Sequence, residues 1–170
     1  MATILMVVAS RDFRDEEYSE PRGLFEAAGY TVVTASSGTG PVKGALGSWV
    51  PVDRPLAGCR AVDFDAVVFV GGYGALEYAD SNTAHRLCRE TLDRRRVLAA
   101  LCVAPVILAR AGVLENRRAT CFPDQNDALE SLGAVLTGEA VTVDGRIVTA
   151  DGPLHAREFA QAVLAALGRL

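Results

Sequence analysis

Val97-Leu98-Ala99-Ala100-Leu101-Cys102-Val103-Ala104-Pro105 decides how this chain is read. The apolar run up to Leu101 has the length of a strand buried on both faces. Cys102 follows at once, and Pro105 sits where a helix accepts proline, in its first turn. The stretch therefore predicts a core strand that turns through Cys102 into a helix. A thiol at such a corner lies beside the positive end of a helix. That placement favours the thiolate and predicts a thiol more acidic than the ~8.5 of a free cysteine. The competing reading is a structural thiol, because unpaired cysteine is among the most buried residue types.

The same alternation of apolar runs and helical patterns extends to both sides. Thr3–Ser10, Thr31–Ser36 and Phe64–Val70 read as further core strands, and Pro21–Ala28, closed by Gly29, as a helix. Helices are expected at Asn82–Asp93, Pro105–Ala111 and near Gln125–Leu132, with a strand near Arg118–Phe122. Val141–Asp144, Gly145 and Arg146–Ala150 form a hairpin on an Asp-Gly turn. Pro153–Leu167 repeats apolar residues at helical spacing. Residues 37–56, with several Gly and Pro around Trp49-Val50-Pro51-Val52, read as an irregular hairpin excursion. Strands alternating with helices imply an α/β fold, a parallel sheet covered on both faces. With 170 residues and no linker, repeat or low-complexity segment, residues 1–170 read as a single domain.

Half of the residues are apolar, 22% are charged and the net charge is −4, an ordinary globular composition. This balance argues against nucleic acid or an anionic membrane as partner. Arg94-Arg95-Arg96 and Arg117-Arg118 are short and read as solvated element ends. Thr3–Ala9 is too short and uncharged for a signal peptide or a membrane span. The four cysteines, Cys59, Cys88, Cys102 and Cys121, show neither CxxC nor Cys/His metal spacing, so no metal or other cofactor is implied. Reduced thiols in a cytoplasmic protein are the expectation.

In parallel sheets chemistry gathers beyond the carboxyl ends of the strands. Three such ends carry candidates here. The first strand leads into Arg14-Asp15-Glu16-Glu17-Tyr18, whose acidic residues also suit the first turn of a helix. The third ends in Gly71-Gly72-Tyr73-Gly74, where glycines can present backbone N–H groups to an oxyanion or simply make a tight turn. The fourth ends at Cys102.

The ordered set resembles the ThiJ/PfpI superfamily, which includes PfpI-type intracellular proteases and a parkinsonism-associated redox protein. The matching elements are the acidic turn with Glu17 before Pro21 and Gly29; Phe64-Asp65-Ala66-Val67-Val68-Phe69-Val70-Gly71-Gly72; Ala99 to Pro105; Ala111-Gly112-Val113-Leu114; and Val143-Asp144-Gly145 with Thr149-Ala150-Asp151-Gly152-Pro153. The resemblance implies a flavodoxin-like three-layer sandwich with a mainly parallel sheet, akin to class I glutamine amidotransferases, and a homodimer or larger assembly. It makes Cys102 a nucleophile-elbow cysteine. It gives Cys102 an acidic partner, Glu17 by spacing with Glu16 as the alternative, and makes Gly72 and Val103 the backbone N–H donors.

The chain departs from that pattern where the family keeps its helpers. PfpI-type members carry His directly after the cysteine, and here that residue is Val103. The later tyrosine of such members corresponds to Phe122, and Asp151 replaces a usual Arg. The redox branch has a His about twenty residues after the cysteine; Ala119-Thr120-Cys121-Phe122-Pro123 has none. Neither Cys–His pair is available, so a peptidase is disfavoured. His85 and His155 remain, His155 as a possible auxiliary group at the start of the last helix. Cys121 is a possible resolving thiol, which would need Cα atoms within about 7 Å of one another.

Three functions are consistent with these residues. One is a cysteine-dependent hydrolase or glyoxalase-like lyase acting on a small electrophilic carbonyl or another small hydrolysable substrate, with Cys102 as nucleophile and a Glu partner. The second is a redox or stress-response protein with an oxidisable Cys102. The third is a non-catalytic, chaperone-like dimer.

Overall fold

The computed structural model describes residues 2–168. Its first half contains strands β1 (Thr3–Val7), β2 (Arg11–Phe13), β3 (Thr31–Ser36), β4 (Val42–Gly44), β5 (Trp49–Val50), β6 (Arg54–Pro55) and β7 (Ala66–Phe69), with helix α1 (Asp15–Ala27) after β2. The second half contains α2 (Asn82–Asp93), β8 (Val97–Leu101), α3 (Pro105–Arg110), β9 (Arg118–Ala119), α4 (Asn126–Ser131), β10 (Val135–Leu136), β11 (Val141–Asp144), β12 (Ile147–Ala150) and α5 (Ala156–Leu167).

Seven strands form the central sheet in the order β11-β12-β8-β7-β1-β3-β6. Its neighbours are parallel except β11, which pairs antiparallel with β12 across the Gly145 turn. Side chains alternate between two cores, as the pleat requires. Leu5, Val7, Val67, Phe69, Leu98 and Ala100 pack with Leu87 and Cys88 of α2 and Val106 and Ile107 of α3. Ile4, Met6, Ala66, Val68, Val97, Ala99 and Leu101 pack with Phe25 of α1 and Phe159 and Val163 of α5. The result is a helix–sheet–helix arrangement in three layers. Runs such as Val97–Leu101 are apolar throughout because both faces are covered.

Several elements differ from their sequence expectation. Helix α1 begins at Asp15, six residues before Pro21, which lies buried inside it. The acidic first turn starts the helix, and Pro21 costs it one internal bond rather than marking its start. Of the strand expected near Arg118–Phe122, only β9 forms, and it pairs with β10 outside the main sheet. The 37–56 excursion is more regular than its composition suggests: β4 and β5 make an antiparallel pair, β2 joins β4, and β6 edges the main sheet. The expected last helix opens with a 3₁₀ turn, Pro153–His155, before α5.

From β1 the chain crosses to β3 on one side, then returns to β7 on the other. The strand order reverses there, opening a crevice beyond the carboxyl ends of β1 and β7. The segments that follow β1, β7 and β8 converge on that edge, with the Arg14 N–H donating to the Gly71 carbonyl at 2.9 Å.

Candidate active site

Cys102 leaves β8 with a φ of 62°. An L-residue adopts this left-handed conformation at a cost of roughly 1–2 kcal/mol, and local backbone bonds hold it. Cys102 N–H donates to the Ala150 carbonyl at 3.0 Å, and Phe122 N–H donates to the Cys102 carbonyl at 2.7 Å. The residue is 7% exposed. The backbone N–H groups of Gly72 and Val103 both donate to its sulfur.

Two glycines make the corner possible. A Cβ at Gly71 would lie 2.6 Å from Cys102 Cβ and 2.7 Å from the Leu101 carbonyl oxygen, and would overlap Glu17 Oε1. Gly72 has a φ of 91°, and a Cβ there would overlap the backbone between Asp12 and Arg14. The 71–72 turn thus lies directly on the segment that follows β1.

The three acids of α1's first turn have separate fates. Asp15 is buried and accepts from the N–H groups of Leu46 and Ser48, each at 2.9 Å. Burial is the largest single influence on its carboxyl and acts to raise it, but the Ser48 side chain and the backbone N–H groups together hold it below the usual range. Glu16 is a partly exposed partner of Arg14, at 2.8 Å from the guanidinium, and that contact lowers its proton affinity. Glu17 is fully buried. Among the described residues no nitrogen or oxygen donor reaches either of its carboxyl oxygens; the polar group it faces is the Cys102 thiol, close enough for each to act on the other's proton.

Burial raises the Glu17 carboxyl to about 8. Burial, followed by a charged Glu17, pushes the Cys102 thiol up to about 12, while the N–H groups of Gly72 and Val103 pull it down. The acidic thiol expected from a helix terminus is therefore not found for Cys102 on its own. Helix α3 is only six residues long, and desolvation outweighs so short a dipole.

The remaining candidates lie apart from this pair. Cys121 is buried, with its sulfur on Asn126 Oδ1 at 3.4 Å, and burial pushes its thiol up. His155 Nδ1 lies 2.6 Å from Asp151 Oδ1, and no hydrogen bond among the described residues ties it to Cys102. His85 Nε2 meets the Ala79 carbonyl at 2.7 Å. Asp151 and His155, with Phe122, Pro123 and Leu154, line a cavity of about 200 Å³ beside the Cys102 corner.

One contact at this edge escaped the sequence reading. Tyr73, directly after Gly72, donates its hydroxyl to Asp124, which follows Phe122-Pro123. The two are 51 residues apart, so only the folded topology reveals the pair.

Among the described residues no group of three or more His, Cys, Asp or Glu is arranged to hold a metal. No described helix is long and apolar enough to cross a membrane.

A family model described as the DJ-1/PfpI family matches residues 2–166. An uncharacterized protein of Methanocaldococcus jannaschii is 39% identical over 169 residues, spanning 98% of this chain and 82% of the relative. A protein of Pyrococcus abyssi named a deglycase is 30% identical over 159 residues, spanning 91% of this chain and 96% of the relative. Among solved structures, a ThiJ/PfpI domain protein from Brachyspira murdochii superposes with a TM-score of 0.96 at 37% identity, covering 99% of this chain and 97% of that one.

Proposed function

This chain belongs to the DJ-1/PfpI family, and from that premise we propose that it is a cysteine-dependent enzyme using Cys102 as nucleophile toward a small electrophilic carbonyl. The observation that carries this reading is the buried Glu17–Cys102 pair, set beside two backbone N–H donors at a left-handed corner. The deglycase name of one relative supports carbonyl chemistry. A homodimer or larger assembly and a cytoplasmic location are part of the same proposal.

With its carboxyl at about 8, Glu17 is protonated at neutral pH. Burial and a charged Glu17 hold the thiol at about 12, yet in this reading the pair's first lost proton leaves its charge on sulfur, where the hydrogen-bond donors are. A Cys102 thiolate meets the N–H groups of Gly72 and Val103 and the O–H of Glu17, whereas a Glu17 carboxylate has no nitrogen or oxygen donor. The thiolate adds to the carbonyl carbon, forming a C–S bond as the C=O pair moves to oxygen. The N–H groups face the developing oxyanion, and Glu17 delivers its proton to it.

On a 2-oxoaldehyde the Glu17 carboxylate then takes the C1 proton and returns it to C2, while the proton on the C1 oxygen passes to the C2 oxygen. This produces the thioester of a 2-hydroxy acid, and water releases the acid and restores the thiol. Amide hydrolysis would need a second acid for the leaving amine once Glu17 has delivered its proton, and Val103 supplies none, so a peptidase is not proposed.

The test is lactate formation from methylglyoxal by wild type and Cys102→Ser. Lactate made by wild type and lost in the variant is expected. Equal turnover by both would overturn the nucleophile assignment and favour a non-catalytic role.

A second reading, redox sensing, is favoured by the buried, protonated Glu17 carboxyl that faces the Cys102 sulfur. Two molecules of hydrogen peroxide would convert the thiolate to a sulfinate and release two of water. Glu17 O–H would then donate to a sulfinate oxygen. A gain of two oxygen atoms on the Cys102 peptide under mild peroxide, slowed by Glu17→Gln, is the result that reading requires.

A further inference from the structure

We propose that Tyr73 and Asp124 form a bridge across the mouth of the Cys102 site and restrict it to substrates of a few heavy atoms. The inference rests on Cys102 being the nucleophile. It adds a specificity-determining pair and a size class to that reading.

Both ends of the bridge belong to segments that touch Cys102. Tyr73 follows Gly72, whose N–H donates to the sulfur. Asp124 lies two residues beyond Phe122, whose N–H holds the Cys102 carbonyl at 2.7 Å. A hydrogen bond from the Tyr73 hydroxyl to Asp124 therefore spans from one side of the corner to the other. Tyr73 is 60% exposed, so one part of its ring faces solvent while the hydroxyl is tied down.

The loops that carry the two partners are held by contacts other than this bond. Cβ atoms at Gly72 and Gly74 would overlap the backbone of residues 11–14, so the loop carrying Tyr73 lies flush against that segment with no room to shift toward it. Ala75 N–H donates to the Gly72 carbonyl at 2.9 Å and closes the turn. On the other side Pro123 opens a 3₁₀ turn, and Gln125 Nε2 donates to the second oxygen of Asp124 at 3.2 Å. Two preorganised groups make a bond with little ordering cost left to oppose it. A phenol donating to a carboxylate is also a charge-assisted bond.

The adjoining space matches a small ligand. The cavity that shares Phe122 and Pro123 with the Asp124 loop measures about 200 Å³, below the roughly 300–1,000 Å³ of sites for drug-sized molecules. Phe122, Pro123, Pro153 and Leu154 make much of its lining apolar. Phe122, whose N–H holds the Cys102 carbonyl, joins this cavity to the corner, and in this proposal a short alkyl arm lies against Phe122. An aryl ketoaldehyde would have to break the Tyr73–Asp124 bond to reach sulfur.

The experiment compares alkylation of Cys102 by iodoacetamide with alkylation by the bulkier N-phenylmaleimide. Peptide mass mapping separates Cys102 from Cys59, Cys88 and Cys121. In Tyr73→Ala the ratio of N-phenylmaleimide to iodoacetamide rate constants should rise at least about fivefold, a change of about 1 kcal/mol in relative barrier. Tyr73→Phe, which keeps the ring and loses the bond, and Asp124→Asn, which weakens it, should raise the ratio by less. A ratio in Tyr73→Ala that rises less than that, or that stays at the wild-type value in all three variants, overturns the bridge. In parallel, Tyr73→Ala should shift the kcat/KM preference from methylglyoxal toward phenylglyoxal. Turnover that survives in Cys102→Ser would strike the nucleophile assignment, and the labelling ratio would still decide the bridge.

Discussion

The Glu17 carboxyl and the Cys102 side chain meet over the bare Cα of Gly71. A methyl group there would sit 2.6 Å from Cys102 Cβ and 2.7 Å from the Leu101 carbonyl oxygen, besides overlapping Glu17 Oε1. The carbonyl and Cys102 Cβ are tied to the backbone and cannot swing away. Gly71→Ala should therefore destabilise the fold by about 1–3 kcal/mol, the usual cost of overpacking. In a chain of this size that lowers the melting temperature by roughly 2–4 °C per kcal/mol. A melting temperature equal to wild type would show that the pair tolerates a spacer.

Burial of Glu17 ties stability to pH in a definite direction. Its folded value of about 8 lies above the 4.5 of an exposed carboxyl. The native state keeps the Glu17 proton through this window while the unfolded chain gives it up. Stability is thus fully present below 4.5 and falls as pH rises toward 8, by up to about 1.4 kcal/mol per pH unit. Glu17→Gln removes the titration and keeps the shape. Its melting temperature relative to wild type should climb steadily from pH 4.5 to 8. A difference that stays flat across this range would mean that Glu17 is ionised in the folded protein.

The two neighbouring glutamates should separate in activity. Glu17→Gln removes the proton that the proposed mechanism delivers to the oxyanion, so kcat should fall by about a hundredfold, the low end for a general acid. Glu16→Gln disturbs a partly exposed ion pair with Arg14, and kcat/KM should stay within about threefold of wild type, as for a surface pair. The reverse ranking of the two variants would return the role to Glu16.

Much of this architecture was legible because its signals are local. Ser81 caps α2 by accepting from Ala84 N–H at 3.2 Å, and the helix runs over the expected Asn82–Asp93. The apolar run ending at Leu101 is a core strand as read, and the carboxyl-edge position of Cys102 follows from it. The choice between Glu16 and Glu17 was less accessible. Successive helical residues differ by about 100° around the axis, so the choice depends on where α1 begins, and Pro21 suggested a later start. The Asp151–His155 contact spans a single helical spacing and was available from the sequence. The Tyr73–Asp124 contact was not, because it arises only when two distant loops reach the same sheet edge. What a strand-to-helix corner does not reveal is the burial of Cys102 and its Glu17 neighbour, which oppose the dipole.

The pH dependence of Cys102 alkylation locates the charge in the pair. If the first proton lost leaves a Glu17 carboxylate, the thiolate appears only toward 12 and iodoacetamide reacts slowly below pH 10 or so. If the charge settles on sulfur, the first proton leaves no later than about 8, since a more stable charged form can only make that loss easier. The donors favour sulfur: two backbone N–H groups and a carboxyl O–H face it, and among the described residues no nitrogen or oxygen donor faces Glu17. The alkylation rate of wild type should thus rise with a midpoint at or below about 8. A rate that stays low until well above pH 9 would falsify the charge assignment, and with it the order of proton transfers in the proposed mechanism.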